Sequence, residues 1–280
     1  MTAPALAAPP RSARSGLGWP LQALAALAGI ALGLPIVVLV AHAIAAGALV
    51  EVAGFSVVVD ALALSLLTTS ISLVLSVVIG LPLALVLARR RFRGSTLLEA
   101  VIDLPIVLPP AVAGLALLLL LGRNGLLGEP LQALGITIPF TTLAVVLAQT
   151  FVSAPFFIRS ARAGFASVDH DLEDAARVDG ANERRLFAAV TVPLASTALA
   201  AGLVMSWARS LGEFGATIMF AGNIQGRTQT LPLVVYGEFQ GGNLDASIAA
   251  ASILVLAAFG VLVAVRVLHW GRALDVRGLG

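Results

Sequence analysis

The chain contains no cysteine and no lysine, a single tyrosine and only three histidines. Without cysteine there is no disulfide, no thiolate metal site and no cysteine nucleophile. The histidines, His42, His170 and His269, lie in different segments, and no HExxH, no GxSxG and no in-span Asp pair occurs. Metal- or serine-type catalysis within the membrane therefore has almost no material to work with. The GxxxxGK[ST] loop that cradles nucleotide phosphates is absent as well, so any ATP hydrolysis belongs to a partner. Charge is scarce: 11% of the 280 residues are charged, against about 25% in an ordinary soluble domain.

What is abundant is apolar sequence. Hydrophobic residues make up 59% of the chain and the mean hydropathy is +1.01. Stretches of about 20 apolar residues, the length that crosses hydrocarbon as a helix, recur from end to end. They predict an all-α integral membrane protein with six transmembrane helices, at about Leu21–Ala46, Ala61–Ala88, Leu97–Leu121, Thr141–Ile158, Leu194–Phe220 and Ser247–Val267. The second is long enough to tilt or to project from the bilayer. No internal repeat and no second domain stands out, so residues 21–270 read as one transmembrane domain.

All 17 cationic residues are arginine. With the N-terminus in the cytoplasm, fourteen of them fall in inside segments: Arg11 and Arg14; Arg89, Arg90, Arg91 and Arg93; Arg159, Arg162, Arg177, Arg184 and Arg185; Arg266, Arg272 and Arg277. Only Arg123 and Arg227 fall outside, and Arg209 lies within the fifth span. Fourteen against two is a decisive positive-inside bias, which predicts both termini cytoplasmic. Residues 1–20, rich in Ala, Pro and Ser, are expected to be a disordered cytoplasmic tail, and residues 271–280 a second, short one. The apolar stretch after Pro20 is too long for the core of a cleaved signal. Glu51–Asp60, Gly122–Phe140 and Ala221–Ala246 become outside loops. The high isoelectric point reflects this topology; no basic, aromatic-studded soluble face exists to meet nucleic acid.

The longest hydrophilic run, Leu172–Leu194, sits on the cytoplasmic side. Asp169 is a candidate N-cap, and Asp171, Glu173 and Asp174 crowd the first turns, where negative charge suits the helix dipole. Leu172, Ala175 and Ala176 share one face. Gly180 is placed to end the helix in the left-handed conformation. Asn182 caps a second short helix through Arg184, Arg185, Leu186 and Phe187, and Pro193 marks the turn into the fifth span. The two alanines permit close approach of another surface, Phe187 offers an anchor, and Arg184 and Arg185 offer pairing to carboxylates. The segment is either a docking device or an amphipathic connector resting on lipid headgroups.

Within the spans the ionisable candidates are Arg209 and Glu213, at i and i+4. They either line a translocation path or its gate, or pair with each other to hold helices together. Gly212 and Gly215 flank them, with Ser206, Ser210 and Thr217 nearby; small and hydroxyl residues permit close helix approach and make the fifth span the preferred pore-lining helix. Pro105, Pro109 and Pro110 either kink the third span or start its helix after Pro110. Asp103 is expected to face the cytoplasm or a partner arginine. Asn223, Gln225, Arg227 and Thr228 form a polar outer loop that either contacts a partner or is simply solvated.

Asp174, Ala175, Ala176, Gly180 and Pro193 together resemble the EAA signature of permease subunits of binding-protein-dependent ABC transporters, with Asp174 in place of Glu and Glu173 just before it. The resemblance runs from about Asp60 to Val267. DLPIVLPPAVAGLALLLLLG (Asp103–Gly122) and ARSLGEFGATIMFAGNIQGRTQTLPLVVY (Ala208–Tyr236) are similar to the oxyanion branch, most of all to molybdate permeases, with sulfate/thiosulfate and tungstate permeases as relatives. It implies a homodimer in the bacterial cytoplasmic membrane, two cytoplasmic ATPase subunits that use ATP and Mg, and an extracytoplasmic oxyanion-binding protein. The segment carrying Glu173, Asp174, Ala175, Ala176, Gly180, Arg184 and Phe187 would be the coupling helix seated in an ATPase cleft. No cofactor is implied for this chain itself. Ion-coupled secondary carriers and membrane scaffolds remain the rival classes; the first needs an ionisable relay across the spans, and only one in-span pair is visible.

Overall fold

A computed structural model describes residues 19–47, 56–90 and 92–275, with side chains described as far as residue 264. All regular structure among them is helical. The elements are α1 (Trp19–Ala45), α2 (Ser56–Arg89), α3 (Ser95–Val107), α4 (Pro110–Leu121), α5 (Gly128–Ala133), α6 (Thr142–Ala166), α7 (His170–Val178), α8 (Glu183–Leu186), a π turn (Phe187–Thr191), α9 (Val192–Leu211), α10 (Gly215–Phe220), α11 (Leu231–Gln240) and α12 (Leu244–Asp275). Five helices are long and apolar enough to cross a membrane, and the bent pair α3–α4 makes a sixth if counted as one span. Residues 1–18, 51–55 and 276–280 lie outside the described residues; the remaining parts of the expected tails 1–20 and 271–280 and of the expected Glu51–Asp60 loop are helical, belonging to α1, α12 and α2.

The core inverts the pattern of a soluble protein. Along α2 the buried positions are Val58, Ala61, Ser65, Thr68, Thr69, Ser72, Ser76, Gly80, Ala84 and Leu87, one stripe at three- and four-residue spacing. Its opposite face carries exposed Leu67, Ile71, Val74, Val78 and Val86. Small and hydroxyl residues let backbones approach and hydrogen-bond between helices, while large aliphatic side chains suit lipid. At 34 residues α2 extends about 51 Å, well beyond a hydrocarbon layer of about 30 Å.

The α2 stripe packs on α6, which runs parallel to it: the Thr150 hydroxyl donates to Ser72 Oγ at 3.1 Å, and two turns further on Gly80 lies against Phe157 and Ile158. Helix α9 runs antiparallel to α6, joined by Ser206 Oγ donating to the Ser153 carbonyl at 3.1 Å and Ser160 Oγ to the Ala198 carbonyl at 2.7 Å. Between those bonds Gly202 faces α6 so closely that a β-carbon would stand 2.9 Å from Ser160 Cβ. Gly202→Leu is therefore expected to destabilise the bundle by about 1–3 kcal/mol, as overpacking does, read as a lower thermal midpoint and a smaller folded yield in detergent. Helix α12 packs on α11 and α1, and α1 is peripheral, with Ala43 its buried residue.

Three sequence expectations change. The third span is not one helix: α3 and α4 are bent by 117°. Leu108 and Pro109 each precede a proline, and both are extended, with ψ of 136° and 131°, as the steric demand of the following ring requires. Pro105, by contrast, is absorbed and buried inside α3. The two halves still cover most of the length of α6: Glu99 and Asp103 meet Arg162 and Arg159 near one end, at 2.9 and 3.8 Å, and Ala113 and Leu117 pack with Ala144, Ala148 and Val152 toward the other.

The fifth span starts earlier than expected and ends sooner. Pro193 marks no turn; it lies inside a continuous helical run from Glu183 to Leu211, two residues after a π turn that loosens the ladder where the proline N–H is missing. It ends at Leu211, and Gly212–Phe214 break the chain before α10. Finally, the expected outer loop Ala221–Ala246 contains α11, whose Leu231, Pro232, Leu233 and Val234 are buried, with Leu231 N–H donating to Ser65 Oγ of α2 at 2.7 Å.

Candidate functional site

The hydrophilic segment folds as its caps dictate. Asp169 Oδ1 accepts from Asp171 N at 3.0 Å and starts α7; Asn182 Oδ1 accepts from Arg185 N at 2.9 Å and starts α8. Between them Gly180 takes φ +87°, and the Ala181 N–H donates back to the Ala176 carbonyl at 3.0 Å. That six-to-one bond closes α7 in the manner left-handed glycine permits.

Two acidic neighbours in α7 have opposite environments. Asp174, which takes the signature's Glu position, is exposed and accepts from Arg177 Nη1 at 2.8 Å. Arg177 also donates to Glu183 at 3.1 Å, and these bonds, Glu183's first, raise its pKa and keep it charged. Glu173 is 4% exposed. Its Oε1 accepts from Arg89 Nη2 at 2.6 Å and from the Thr191 hydroxyl at 2.6 Å, while His170 Nδ1 stands 3.6 Å from Oε2. One carboxylate thus ties α7 to the last residue of α2 and to the π turn that leads into α9. Charge-assisted bonds of this kind are roughly twice as strong as neutral ones.

The face of α7 turned away from the bundle is apolar and bare: Leu172, Ala175 and Val178 follow one another at three-residue spacing and are exposed, Val178 by 87%. Arg184 and Arg185 are exposed beside it. Ala176 is half-buried. Phe187, expected as an anchor for a partner, is half-buried against this chain's own Phe165, ring centroids 6.1 Å apart. It lines a cavity of about 580 Å³ with Arg89, His170, Glu173 and Thr191.

The residues expected on the path gather at the other end of α9. Arg209 Nη1 lies 2.6 Å from Glu213 Oε2, so the pair forms, but across the helix break rather than along a helix. The second oxygen of Glu213 accepts from Ala216 N at 2.8 Å and caps α10. Glu213 is 1% exposed, and Ser206, Ser210 and Thr217 are fully buried within this one chain. Ser206 is spent on the Ser153 carbonyl; the Ser210 and Thr217 hydroxyls have no hydrogen-bond partner among the described residues.

These side chains belong to a larger polar seam that the sequence reading missed. Thr69 and Ser76 of α2 and Gln149 and Ser153 of α6 are also fully buried, and their hydroxyls and both amide atoms of Gln149 lack partners among the described residues. The register set by Ser153–Ser206 and Ser160–Ala198 brings Gln149, one turn on, level with Ser210. The spacing Ser65, Thr69, Ser72, Ser76 in the second span was the available signal. Gln149 offered none beyond being a lone amide in an apolar run.

A multi-pass bundle with small and hydroxyl residues at its helix contacts, carrying a short two-helix element at one end, has the fold of an ABC-transporter permease. It superposes on a bacterial ABC transporter involved in import of the acidic polysaccharide alginate with a TM-score of 0.70, over 91% of this chain and 96% of that one, at 18% identity. Residues 76–272 match the family of binding-protein-dependent transport system inner membrane components, and the chain belongs to that family. It is 48% identical over 198 residues to the molybdenum transport system permease protein ModB of Mycobacterium tuberculosis, covering 71% of this chain and 75% of that protein. It is 41% identical over 207 residues to ModB of Escherichia coli, covering 73% and 90%. A sulfate transport system permease protein of Escherichia coli is 38% identical over 212 residues, 76% of each chain.

Proposed function

We propose that this chain is the permease subunit of an importer that moves molybdate across the bacterial inner membrane, driven by ATP hydrolysis in separate subunits. The observation that carries the substrate is the identity to permeases named for molybdenum transport, over about seven-tenths of the chain. A second copy of the chain, two cytoplasmic ATPase subunits that bind ATP and Mg, and an extracytoplasmic oxyanion-binding protein complete the machine. The arginine distribution supports cytoplasmic termini and a cytoplasmic α7–α8 element.

In this reading the bare face of Leu172, Ala175 and Val178 seats in the ATPase, with Arg184 and Arg185 at its rim. Glu173 converts movement of that element into movement of α2 and α9, because it bonds to both ends at once. The π turn between α8 and α9 is the point of give; such turns are frequent at functional sites. At the far end, the break at Gly212–Phe214 and the Arg209–Glu213 pair form the gate. Pairing leaves Glu213 neutralised by Arg209, so an anion passing it meets no free carboxylate. High-affinity recognition of the anion belongs to the binding protein.

Membrane vesicles test this directly. Molybdate uptake is expected only when ATP, the ATPase and the binding protein are all supplied. Uptake by the chain alone would return the ion-coupled carrier. Excess sulfate is expected to leave uptake largely intact; if sulfate displaces molybdate, the assignment moves to the sulfate branch.

A further inference from the structure

At the end of the bundle opposite α7, three connections converge on a cavity of about 660 Å³: the turn after α4, the approach to α6, and the turn between α10 and α11. Its apolar wall includes Leu118, Leu119 and Phe140, and its cations are Arg123 and Arg227, the two arginines that the positive-inside count places outside. No carboxylate lines it. Arg89, Arg159, Arg162, Arg177 and Arg209 each stand within 3.8 Å of a carboxylate. Arg123 and Arg227 have no such partner among the described residues, a state they share with Arg90, Arg93, Arg184 and Arg185 on the opposite side.

The backbones of both arginines are nonetheless firmly placed. The Arg123 carbonyl accepts from Gln132 Nε2 at 2.9 Å, and the Arg227 carbonyl accepts from the Thr142 hydroxyl at 2.8 Å. The turn bearing Arg227 is closed by its own N–H to the Ile224 carbonyl at 3.1 Å and by Ile224 N to Thr228 Oγ1 at 2.9 Å. The same cavity is lined by Phe140, with φ +60° the one non-glycine residue of positive φ among the described residues. Its ring lies over Gly222, where a β-carbon would come within 3.0 Å. Strained backbone of this kind persists where surrounding structure holds it, and clusters at ligand-binding places.

We propose that this cavity is a weak capture site for a tetrahedral oxyanion at the outer face of the permease. Fixed backbones present two free guanidiniums, each with five N–H donors in a planar fork suited to oxyanion oxygens. The apolar wall lowers the local dielectric and strengthens their pull on a dianion. The cavity is far larger than a bare oxyanion, so the anion keeps part of its hydration shell and leaves easily, as a relay to the path requires. The site rests on the reading of the chain as an oxyanion permease and adds to it a station distinct from the Arg209–Glu213 gate.

The test uses the permease–ATPase complex in nanodiscs of phosphatidylcholine, without binding protein, and radiolabelled molybdate in equilibrium dialysis. Saturable binding is expected, weakened about tenfold by Arg123→Gln and by Arg227→Gln, the loss expected for one charge-assisted contact, and unchanged by Arg93→Gln. Basal ATPase activity of each variant reports an intact fold. Absence of saturable binding, or unchanged affinity in both variants, overturns the site. Molybdate binding abolished by added phosphatidylglycerol assigns the cavity to a lipid headgroup and overturns the free-oxyanion occupant. ATP-driven uptake by the wild-type system is measured alongside. Uptake without capture removes this site alone, whereas a complete system that transports no oxyanion removes the functional reading beneath it.

Discussion

Glu173→Ala is expected to lower the stability of the permease by about 2–3 kcal/mol and to cut ATP-driven uptake at least tenfold. The physical reason is the burial of one carboxylate between two donors. Arg89 and Thr191 both bond Glu173 Oε1 at 2.6 Å, and the side chains of Arg89 and Glu173 are 17% and 6% exposed. Removing one member of a buried pair strands the other, at a cost of about 3–5 kcal/mol when no water can reach it. Arg89 borders an open cavity, which reduces the figure. Arg89→Ala is expected to resemble Glu173→Ala, and the double variant to cost less than the sum, because the two act through one contact. Asp174→Ala supplies the contrast. Asp174 is exposed and bonded only to Arg177, so its loss is expected to leave the thermal midpoint unchanged and to weaken only the association with the ATPase. Normal uptake by Glu173→Ala would sink the transmission role assigned to this carboxylate.

The second large effect is expected at the other end of α9. Glu213→Ala should destabilise by about 3–5 kcal/mol, because it strands Arg209 and uncaps α10 together. The pairing can be separated from its function. Replacing both partners, as in Arg209→Met with Glu213→Leu, removes the unpaired charge and is expected to recover part of the lost stability, since apolar replacement of a buried pair is often neutral or better. Uptake decides the role: a stable double variant that no longer transports makes the pair a gate element. A stable double variant that transports at the wild-type rate reduces it to a helix clamp, the alternative that the i, i+4 spacing suggests by itself.

Much of this was legible from residue types and their spacing. The long apolar helices, the polar segment before Pro193, its caps at Asp169 and Asn182 and its break at Gly180 all follow from local rules that act within a few residues. The family follows from short runs such as Asp174-Ala175-Ala176 and Ala208–Tyr236. The third span failed as a single helix because two consecutive prolines do more than kink: each also extends the residue before it. The fifth failed at Pro193 because an interior proline is tolerated where a π turn relaxes the helix just before it, and local rules read such a proline as a boundary. Helix α11 was hidden in a loop rich in Gly, Asn and Gln because four buried residues, Leu231 to Val234, are too short a run to register as a span.

Composition and periodicity alone determined that this chain is an all-helical membrane protein with five or six candidate spans, since hydropathy is a property of the chain before it folds. Only the tertiary structure decided which acid is which. Glu173 and Asp174 are adjacent and chemically alike, yet the helical rotation of about 100° between them turns one inward to Arg89 and Thr191 and leaves the other bare. The same holds for Ser206, Ser210 and Thr217, whose place inside the bundle rather than on an open wall depends on helices far apart in sequence. It holds too for Arg123 and Arg227, a hundred residues apart, which no local rule could bring to one cavity.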